Sequence, residues 1–256
     1  MEFDCKSYFE AARRSYIDLG FAKFHWEDTP AYRWMLSTTF MDILGPELLR
    51  TGGIEKAEYT EGPYLTEAVD LAEGDLVVDV GANLGLFSAL ACSKGCRVLA
   101  FEPLPINVEY LVKLQQLNPK FVMDIVRKAL SNFIGEADLF NHDRDLGGGT
   151  IMGEIVDQNQ RAQPGRAMTT QLVEVTTLDQ HYQENSITGC DFIKADIEGA
   201  EISLIEGARE TIKQYKPKLS LCTYHHADDK AILKYLIHSI RPDYTIVEGK
   251  CKIYAY

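Results

Sequence analysis

The fold of this chain is decided by the stretch VVDVGANLG at residues 77–85. Its apolar first half is typical of a buried strand, and Gly81 and Gly85 permit a sharp turn into a helix predicted over residues 86–94. The N-terminus of such a helix offers free N–H groups and the positive end of its dipole to a ligand. We therefore predict the first strand–turn–helix unit of an open α/β sheet, with a ligand at the turn.

The spacing of these glycines indicates which ligand the turn accepts. They follow the pattern G-x-x-x-G, with Asn83 between them, and not the G-x-G-x-x-G of dinucleotide-binding turns. A pyrophosphate needs the tighter glycine pair, and Asp79 would repel it if its side chain faced the ligand. Asp79 suits a ligand with an ammonium group, such as the amino-acid end of S-adenosylmethionine. The alternative is an ordinary βα turn, in which glycine is common.

A second strand, predicted over residues 97–101, ends at Glu102 and Pro103. An acidic side chain about 20 residues beyond the glycine turn can accept hydrogen bonds from two ribose hydroxyls. The same arrangement serves the ribose of NAD, so Glu102 indicates a nucleoside without naming the cofactor. Taken alone, Glu102 is equally compatible with an exposed carboxylate at a strand end. The glycine turn and Glu102 together predict a nucleoside-bearing ligand.

The stretch FIKADIEGAE at residues 192–201 predicts a strand that ends in a cluster of charged side chains. Ligands of open α/β sheets bind outside the carboxyl ends of the strands, so Asp196 and Glu198 should face the same crevice as the glycine turn. They can orient a substrate, act as a base or hold a divalent metal. The alternative is that one of them caps the following helix.

A further strand over residues 218–223 delivers Tyr224, His225 and His226 to that edge. A histidine there can take a proton from a hydroxyl nucleophile, and His225 is the better candidate of the two. The alternative is that both are simply polar residues at a strand end.

The rest of the chain divides into three regions. Residues 1–62 are rich in aromatic residues, and helices over residues 6–19 and 30–44 predict a helical extension that caps the domain or forms a homodimer. Residues 63–256 form the α/β domain. Within it, the polar, glycine-rich segment 141–171 is predicted to be an insertion that acts as a lid. Its flanks, residues 137–140 and 172–176, read as an added hairpin, and residues 244–248 and 251–255 as a closing one.

Composition and charge narrow the class of partner. The net charge of −12 argues against non-specific binding of nucleic acid and against an anionic membrane surface. No apolar run approaches the roughly 20 residues that span a bilayer, and the first residues do not resemble a secretory signal. The six cysteines are scattered without a CxxC pair, which favours reduced thiols in a cytoplasmic protein. We therefore expect a small-molecule partner, no nucleic acid and no membrane.

These motifs, in this order, resemble the FkbM family of methyltransferases, a branch of the Rossmann-like class I S-adenosylmethionine enzymes. The resemblance extends over about residues 63–255, and its most specific part is the lysine-Asp-x-Glu-Gly-x-Glu block at residues 194–201. Ala195 stands in this block where a β-branched aliphatic residue is usual. Residues 1–60 and 141–170 do not match.

The resemblance implies a seven-stranded, mostly parallel sheet whose last strand is antiparallel. It also implies O-methylation of a hydroxyl on a small molecule, a sugar or another natural product, with S-adenosylhomocysteine as product. The residues implied in cofactor binding are Asp79, Gly81, Asn83, Gly85, Glu102, Pro103, Ala129 and Asp196. For catalysis we select Asp196, Glu198 and His225. The acidic pair is compatible with a divalent metal, which forms no part of the prediction.

Two other functions share part of this pattern. A nicotinamide-dependent oxidoreductase uses the same strand, turn and acidic residue, but the absent G-x-G-x-x-G and the block at residues 194–201 argue against it. A nucleoside-binding protein of the same fold without catalysis is the other alternative. The acidic and histidine positions argue against that one.

Overall fold

The protein is represented by a computed structural model that describes residues 16–27, 29, 43, 63–142, 148–153 and 168–256. The strands in these residues are β1 (Tyr16–Asp18), β2 (Lys23–His25), β3 (Leu76–Val80), β4 (Arg97–Phe101), β5 (Val122–Val126), β6 (Ala129–Leu130), β7 (Gly135–His142), β8 (Met168–Thr176), β9 (Phe192–Ala195), β10 (Lys218–Cys222), β11 (Ile246–Glu248) and β12 (Lys252–Ala255). The helices are α1 (Leu86–Ser93), α2 (Pro105–Leu117), α3 (Leu178–Glu184), α4 (Glu201–Glu206), α5 (Arg209–Tyr215) and α6 (Asp229–Ile240).

Seven strands form the central sheet in the order β11-β12-β10-β9-β3-β4-β5. The neighbouring pairs from β10 to β5 are parallel, whereas β12 is antiparallel to both β10 and β11. This confirms the predicted sheet with its antiparallel last strand. The predicted closing hairpin is present as β11 and β12.

The strands at the centre of the sheet are apolar because helices cover both of their faces. Every residue of β3 and β9 is buried. Along β3 the side chains alternate between two cores, since Val77 belongs to the core on the side of α1 and α2, and Val78 to the core on the side of α4 to α6. The charged residues Asp79 and Lys194 lie in these two strands and are register partners.

A small sheet of order β6-β8-β7 lies beside the central one. Its long antiparallel pair, β7 and β8, confirms the hairpin predicted at the flanks of the polar segment. Most of residues 141–171, and with them the predicted lid, lie outside the described residues. One described residue of this segment, Thr150, pairs with Phe140 and donates its hydroxyl to the carbonyl oxygen of Glu198 at 2.8 Å.

The helix predicted over residues 6–19 is wrong at its described end, where Tyr16–Asp18 forms a strand. Ile17 and Phe24 are buried between more exposed neighbours on β1 and β2, an alternation with the period of a strand. The chain reverses at Gly20, whose φ of +85° is unfavourable for a helix. The helix predicted over residues 30–44 lies almost wholly outside the described residues, although Ile43 is helical and buried.

The helix expected after the charged cluster at residues 192–201 is in fact two helices, α4 and α5. The second begins anew because Asp179 caps it, accepting hydrogen bonds from the backbone N–H groups of Glu210 and Thr211 at 2.9 and 2.8 Å. The described helices also include none with the length and apolar character of a membrane span.

Candidate functional site

The glycine turn after β3 packs directly against the end of β9. Gly81 has φ +72°, and a Cβ atom at this position would lie 2.1 Å from the carbonyl oxygen of Asp196. Only glycine permits so close an approach. Asn83 is also left-handed with φ +52°, and Gly85 precedes the first turn of α1 with φ +84°. The turn therefore brings Gly81, Asn83, Gly85 and Asp196 to one edge, as the sequence predicted.

A buried ion pair stabilises this turn through hydrogen bonds to its backbone. The Lys194 ammonium lies 3.0 Å from Asp79 Oδ1 and donates hydrogen bonds to the carbonyl oxygens of Gly81 at 2.8 Å and Val80 at 3.3 Å. Ser88 donates its hydroxyl to Asp79 Oδ2 at 2.6 Å. Burial by itself would lower the pKa of Lys194, but the charges of Asp79 and Asp196 outweigh it and raise that pKa.

These contacts give Asp79 a role that the sequence did not suggest. Its side chain is fully buried, and its two oxygens contact Lys194 and Ser88. Asp79 thus anchors the cation that binds the turn. Its contact with a ligand ammonium stays a prediction.

Glu102 connects the end of β4 to the same turn. Its Oε2 accepts the Asn83 N–H at 2.8 Å and its Oε1 accepts the Leu104 N–H at 2.9 Å. Burial raises the pKa of Glu102 to about 7 against the effect of these hydrogen bonds. Pro103 follows, half-buried. Ala129, which the resemblance implies in cofactor binding, is buried in β6 and packs with Leu104, just beyond Glu102.

Asp196 stands at the centre of the edge between two tyrosines. Its Oδ2 accepts the hydroxyl of Tyr64 at 2.5 Å, and its Oδ1 accepts that of Tyr224 at 3.0 Å. Burial opposes ionisation of Asp196, but Lys194, Tyr64 and Lys252 stabilise the charge and hold its pKa below the ordinary value. Asp196 is therefore a carboxylate at neutral pH, with a lone pair left on each oxygen for a further donor.

His225 lies between two carboxylates. Its Nε2 is 3.0 Å from Glu198 Oε2, and its Nδ1 is 3.7 Å from Glu201 Oε2. Burial would lower the pKa of His225, but the hydrogen bond to Glu198 and the charge of Glu201 raise it to about 9. An imidazolium has no lone pair to accept a proton, so the predicted role of His225 as proton acceptor does not fit this charge state.

The Glu201 carboxylate stabilises the turn that leads into α4. It accepts the backbone N–H groups of Ile197 at 2.9 Å and Gly199 at 3.2 Å, both of which precede the helix. Burial raises the pKa of Glu201 to about 7. The N-cap position itself, Ala200, makes no side-chain bond. Neither Asp196 nor Glu198 occupies the N-cap position of α4.

Two residues of the site were missed by the sequence reasoning. Tyr64 lies at the start of the predicted α/β domain, and Lys252 lies in the predicted closing hairpin. The Lys252 ammonium lies 4.3 Å from the centre of the Tyr64 ring, and its side chain is fully buried. A lysine inside an otherwise apolar strand was the one available signal. By contrast, His226 uses its backbone N–H to bond Asp229 at 2.8 Å.

The sequence pattern described as the methyltransferase FkbM domain matches residues 79–244 of this chain. The chain belongs to the FkbM methyltransferase family. The match covers more than half of the chain and includes every site residue that the sequence predicted. Tyr64 and Lys252 lie outside it.

Individual relatives agree with this assignment. The chain is 27% identical over 198 residues to the AMB antimetabolite synthetase AmbE of Pseudomonas aeruginosa, covering 64% of this chain and 9% of that protein. It is 46% identical over 50 residues to the 31-O-demethyl-FK506 methyltransferase FkbM of Streptomyces tacrolimicus, covering 19% of each. The FkbM-family chain thus spans less than a fifth of the length of these two relatives.

A solved structure shares the fold. The crystal structure of the methyltransferase FkbM from Methylobacillus flagellatus superposes with a TM-score of 0.53 at 25% identity, covering 73% of this chain and 44% of that one. The FkbM-family chain therefore has the class I, Rossmann-like methyltransferase fold.

Proposed function

We propose that this chain is an S-adenosylmethionine-dependent O-methyltransferase that acts on a hydroxyl of a small molecule, a sugar or another natural product. The observation that carries the proposal is the contact of Gly81 with Asp196. This contact supports the proposal because the predicted binding site for the methyl donor, around the glycine turn and Glu102, then lies at the same edge as the ionised carboxylate of Asp196. A donor and a proton acceptor on one edge are what methyl transfer to a hydroxyl requires.

In the reaction, the hydroxyl oxygen attacks the methyl carbon of the sulfonium. The oxygen–carbon bond forms, the sulfur–carbon bond breaks, and S-adenosylhomocysteine leaves as a neutral thioether. Because the leaving group is good, the main task of the protein is to hold the oxygen about 3 Å behind the methyl group. The hydroxyl proton must also depart.

Asp196 is placed to receive that proton. An alcohol oxygen becomes strongly acidic while it gains a methyl group, so even a carboxylate of low pKa can accept the proton at that stage. Tyr64 and Tyr224 hold the carboxylate in position by their hydrogen bonds. Burial raises the pKa of Tyr64 well above its ordinary value, so its hydroxyl remains a donor.

The name of the Streptomyces relative also supports the type of reaction, since it describes methylation at an oxygen. The nicotinamide-dependent alternative gains no support, because the family match is to methyltransferases. The acceptor stays open within the class of hydroxylated small molecules.

The test separates binding from turnover. Calorimetry should detect binding of S-adenosylmethionine by the wild type and no binding of NAD. Transfer of a labelled methyl group is then measured against a panel of glycosides and macrolides. Asp196→Asn should slow this transfer by roughly 100-fold or more, because the amide cannot accept the hydroxyl proton, while the affinity for S-adenosylmethionine stays within about twofold.

The matched control is Asp138→Asn, which makes the same change on an exposed part of β7 and should leave both measurements unaltered. Normal turnover in Asp196→Asn would contradict the role of this residue. Binding of NAD in place of S-adenosylmethionine would contradict the proposed function.

A further inference from the structure

We propose that Asp196, Glu198 and His225 form a binding site for a divalent cation of the Mn²⁺ type. One ligand atom from each of these side chains lies within 4.8 Å of the other two. The three come from separate positions of the fold, the end of β9, the turn before α4 and the segment after β10. The proposal that a cation binds here is independent of the proposed function, whereas the cation's role toward the methyl-accepting hydroxyl rests on it.

The spacing has the dimensions of a coordination shell. Around an octahedral cation with bonds of about 2.1 Å, neighbouring ligand atoms are about 3 Å apart and opposite ones about 4.2 Å. His225 Nε2 and Glu198 Oε2 are 3.0 Å apart, which equals the separation of neighbouring ligands. Glu198 and His225 can therefore be neighbouring ligands of one cation, and the Asp196 ligand atom lies within 4.8 Å of both.

The surroundings of His225 provide a second, independent observation. Its side chain is only 6% exposed, and its Nδ1 has no hydrogen-bond partner among the residues that the structure describes. This nitrogen faces Glu201 Oε2 at 3.7 Å, and Glu201 is itself held by two backbone N–H groups. Histidines that bind metals commonly direct their other nitrogen to such a carboxylate, which orients the ring. The arrangement leaves Nε2 as the metal ligand.

The donor types select the class of cation. Two carboxylates and one imidazole combine the oxygen ligands of Mg²⁺ and Mn²⁺ with a nitrogen that favours the transition metals, and the set contains no thiolate. Mn²⁺ satisfies both preferences. The hydrogen bonds that Asp196 accepts from Tyr64 and Tyr224 do not block it, because each carboxylate oxygen keeps a second lone pair.

The local charge also permits a cation. Asp196 and Glu198 supply two negative charges, and the neighbouring ammonium of Lys194 is balanced by Asp79 at 3.0 Å. Glu201 adds a further carboxyl group on the other side of His225, 3.7 Å from its Nδ1. When the cation binds, the proton between His225 Nε2 and Glu198 Oε2 leaves to solvent.

A cation at this site has positions left for oxygen atoms that the protein does not supply. A divalent cation there would attract the acceptor hydroxyl and make its proton easier to remove. The substrates that fit best are those with two neighbouring oxygens, such as vicinal diols, because both can bind one cation.

The site is tested with Mn²⁺ alone, using the full chain freed of metal. Electron paramagnetic resonance measures the free ion, and we expect one bound Mn²⁺ per wild-type chain. Glu198→Gln should weaken binding at least tenfold. The side chain is 25% exposed, so the substitution is compatible with folding. Glu210→Gln, an exposed position on α5, is the matched control and should bind as the wild type does.

Calorimetry with S-adenosylmethionine, expected within twofold of the wild type in every variant, confirms that each variant is folded. The inference would be overturned if the wild type failed to bind Mn²⁺, or if the wild type, Glu198→Gln and Glu210→Gln bound it equally. Methyl transfer in the presence of a metal chelator would not rescue it, but would leave the proposed function standing. Conversely, specific Mn²⁺ binding without methyl transfer to any acceptor would support the site and count against the proposed function.

Discussion

Glu102 is the residue whose ionisation should control cofactor affinity. Its pKa of about 7 means that half of the free protein carries a neutral Glu102 near neutral pH. Ribose hydroxyls donate to the ionised carboxylate, so binding below pH 7 first requires loss of a proton. Affinity for S-adenosylmethionine should therefore rise by roughly tenfold from pH 6 to pH 8 and level off above. Calorimetry at both pH values measures this.

Glu102→Gln is the control for that pH dependence. The amide cannot ionise, so its affinity should be lower, by roughly 10- to 100-fold at pH 8, and should lack the rise. A rise of the same size in Glu102→Gln would assign the titration to another group and contradict the prediction.

At the residue scale, the sequence patterns identified which residues carry functional chemistry better than they identified which residues contact each other. Asp79 and Lys194 were both noted in their motifs, but their pairing depends on the register of β3 against β9, which no local pattern reveals. Breaking a buried pair by removing one partner costs roughly 3–5 kcal/mol, since an uncompensated charge remains. Asp79 and Lys194, which the sequence motifs associate with ligand binding, therefore also stabilise the fold.

At the scale of elements, the strands were the most predictable part. Their continuous apolar runs follow from burial on both faces, and the carboxyl ends of parallel strands meet at one edge. The break between α4 and α5 was not predictable, because the Asp179 cap comes from a distant part of the chain. Likewise, the β1–β2 hairpin was obscured by apolar spacing that also fits a helix.

Gly207, at the break between α4 and α5, gives a test at this scale. A Cβ atom there would lie 2.0 Å from the carbonyl oxygen of Ser131 and 3.2 Å from Thr177 Cβ. Gly207→Ala should lower the free energy of unfolding by roughly 1–3 kcal/mol, because backbone must move to admit the methyl group. Urea denaturation measures the loss.

Gly153→Ala is the matched change, since a Cβ there meets no atom of the described residues within 4 Å. Its unfolding midpoint should be close to that of the wild type. Equal midpoints for Gly207→Ala and the wild type would contradict the prediction, because the backbone at Ser131 would then move aside without loss of stability.

At the scale of the whole molecule, the described part of residues 1–62 is joined to the α/β domain. Asn118, at the end of α2, accepts the Lys23 N–H at 2.9 Å and donates to the Lys23 carbonyl at 2.6 Å. Ile17 and Phe24 belong to the same core as Leu111. A separate cap or dimer element in residues 1–62 remains a prediction.

Removal of the Asn118 side chain tests this attachment. Asn118→Ala loses two hydrogen bonds to β2, each contributing about 1 kcal/mol. The melting temperature should fall by roughly 4–8 °C in a chain of this size, and the hairpin should become easier to cleave in limited proteolysis. Gln116→Ala, at an exposed position of the same helix, should do neither. An unchanged melting temperature and cleavage rate in Asn118→Ala would argue against this anchor.

The site was predictable only in part, because some of its residues come from distant segments that carry no motif. Residues at strand ends were found because topology alone brings them together. Tyr64 and Lys252 were not, since they reach Asp196 from segments on either side of the family match and carry no motif. Their contribution depends on how the entire sheet closes.

The position of β12 has a consequence for the order of synthesis. This strand leaves the ribosome after every other described strand, yet it lies inside the sheet between β10 and β11. Until it emerges, β10 offers an unpaired edge to other nascent chains. Lys252 arrives with the same strand. The glycine turn and Asp196 are made earlier, but no growing chain can carry the finished site before residue 252 is made.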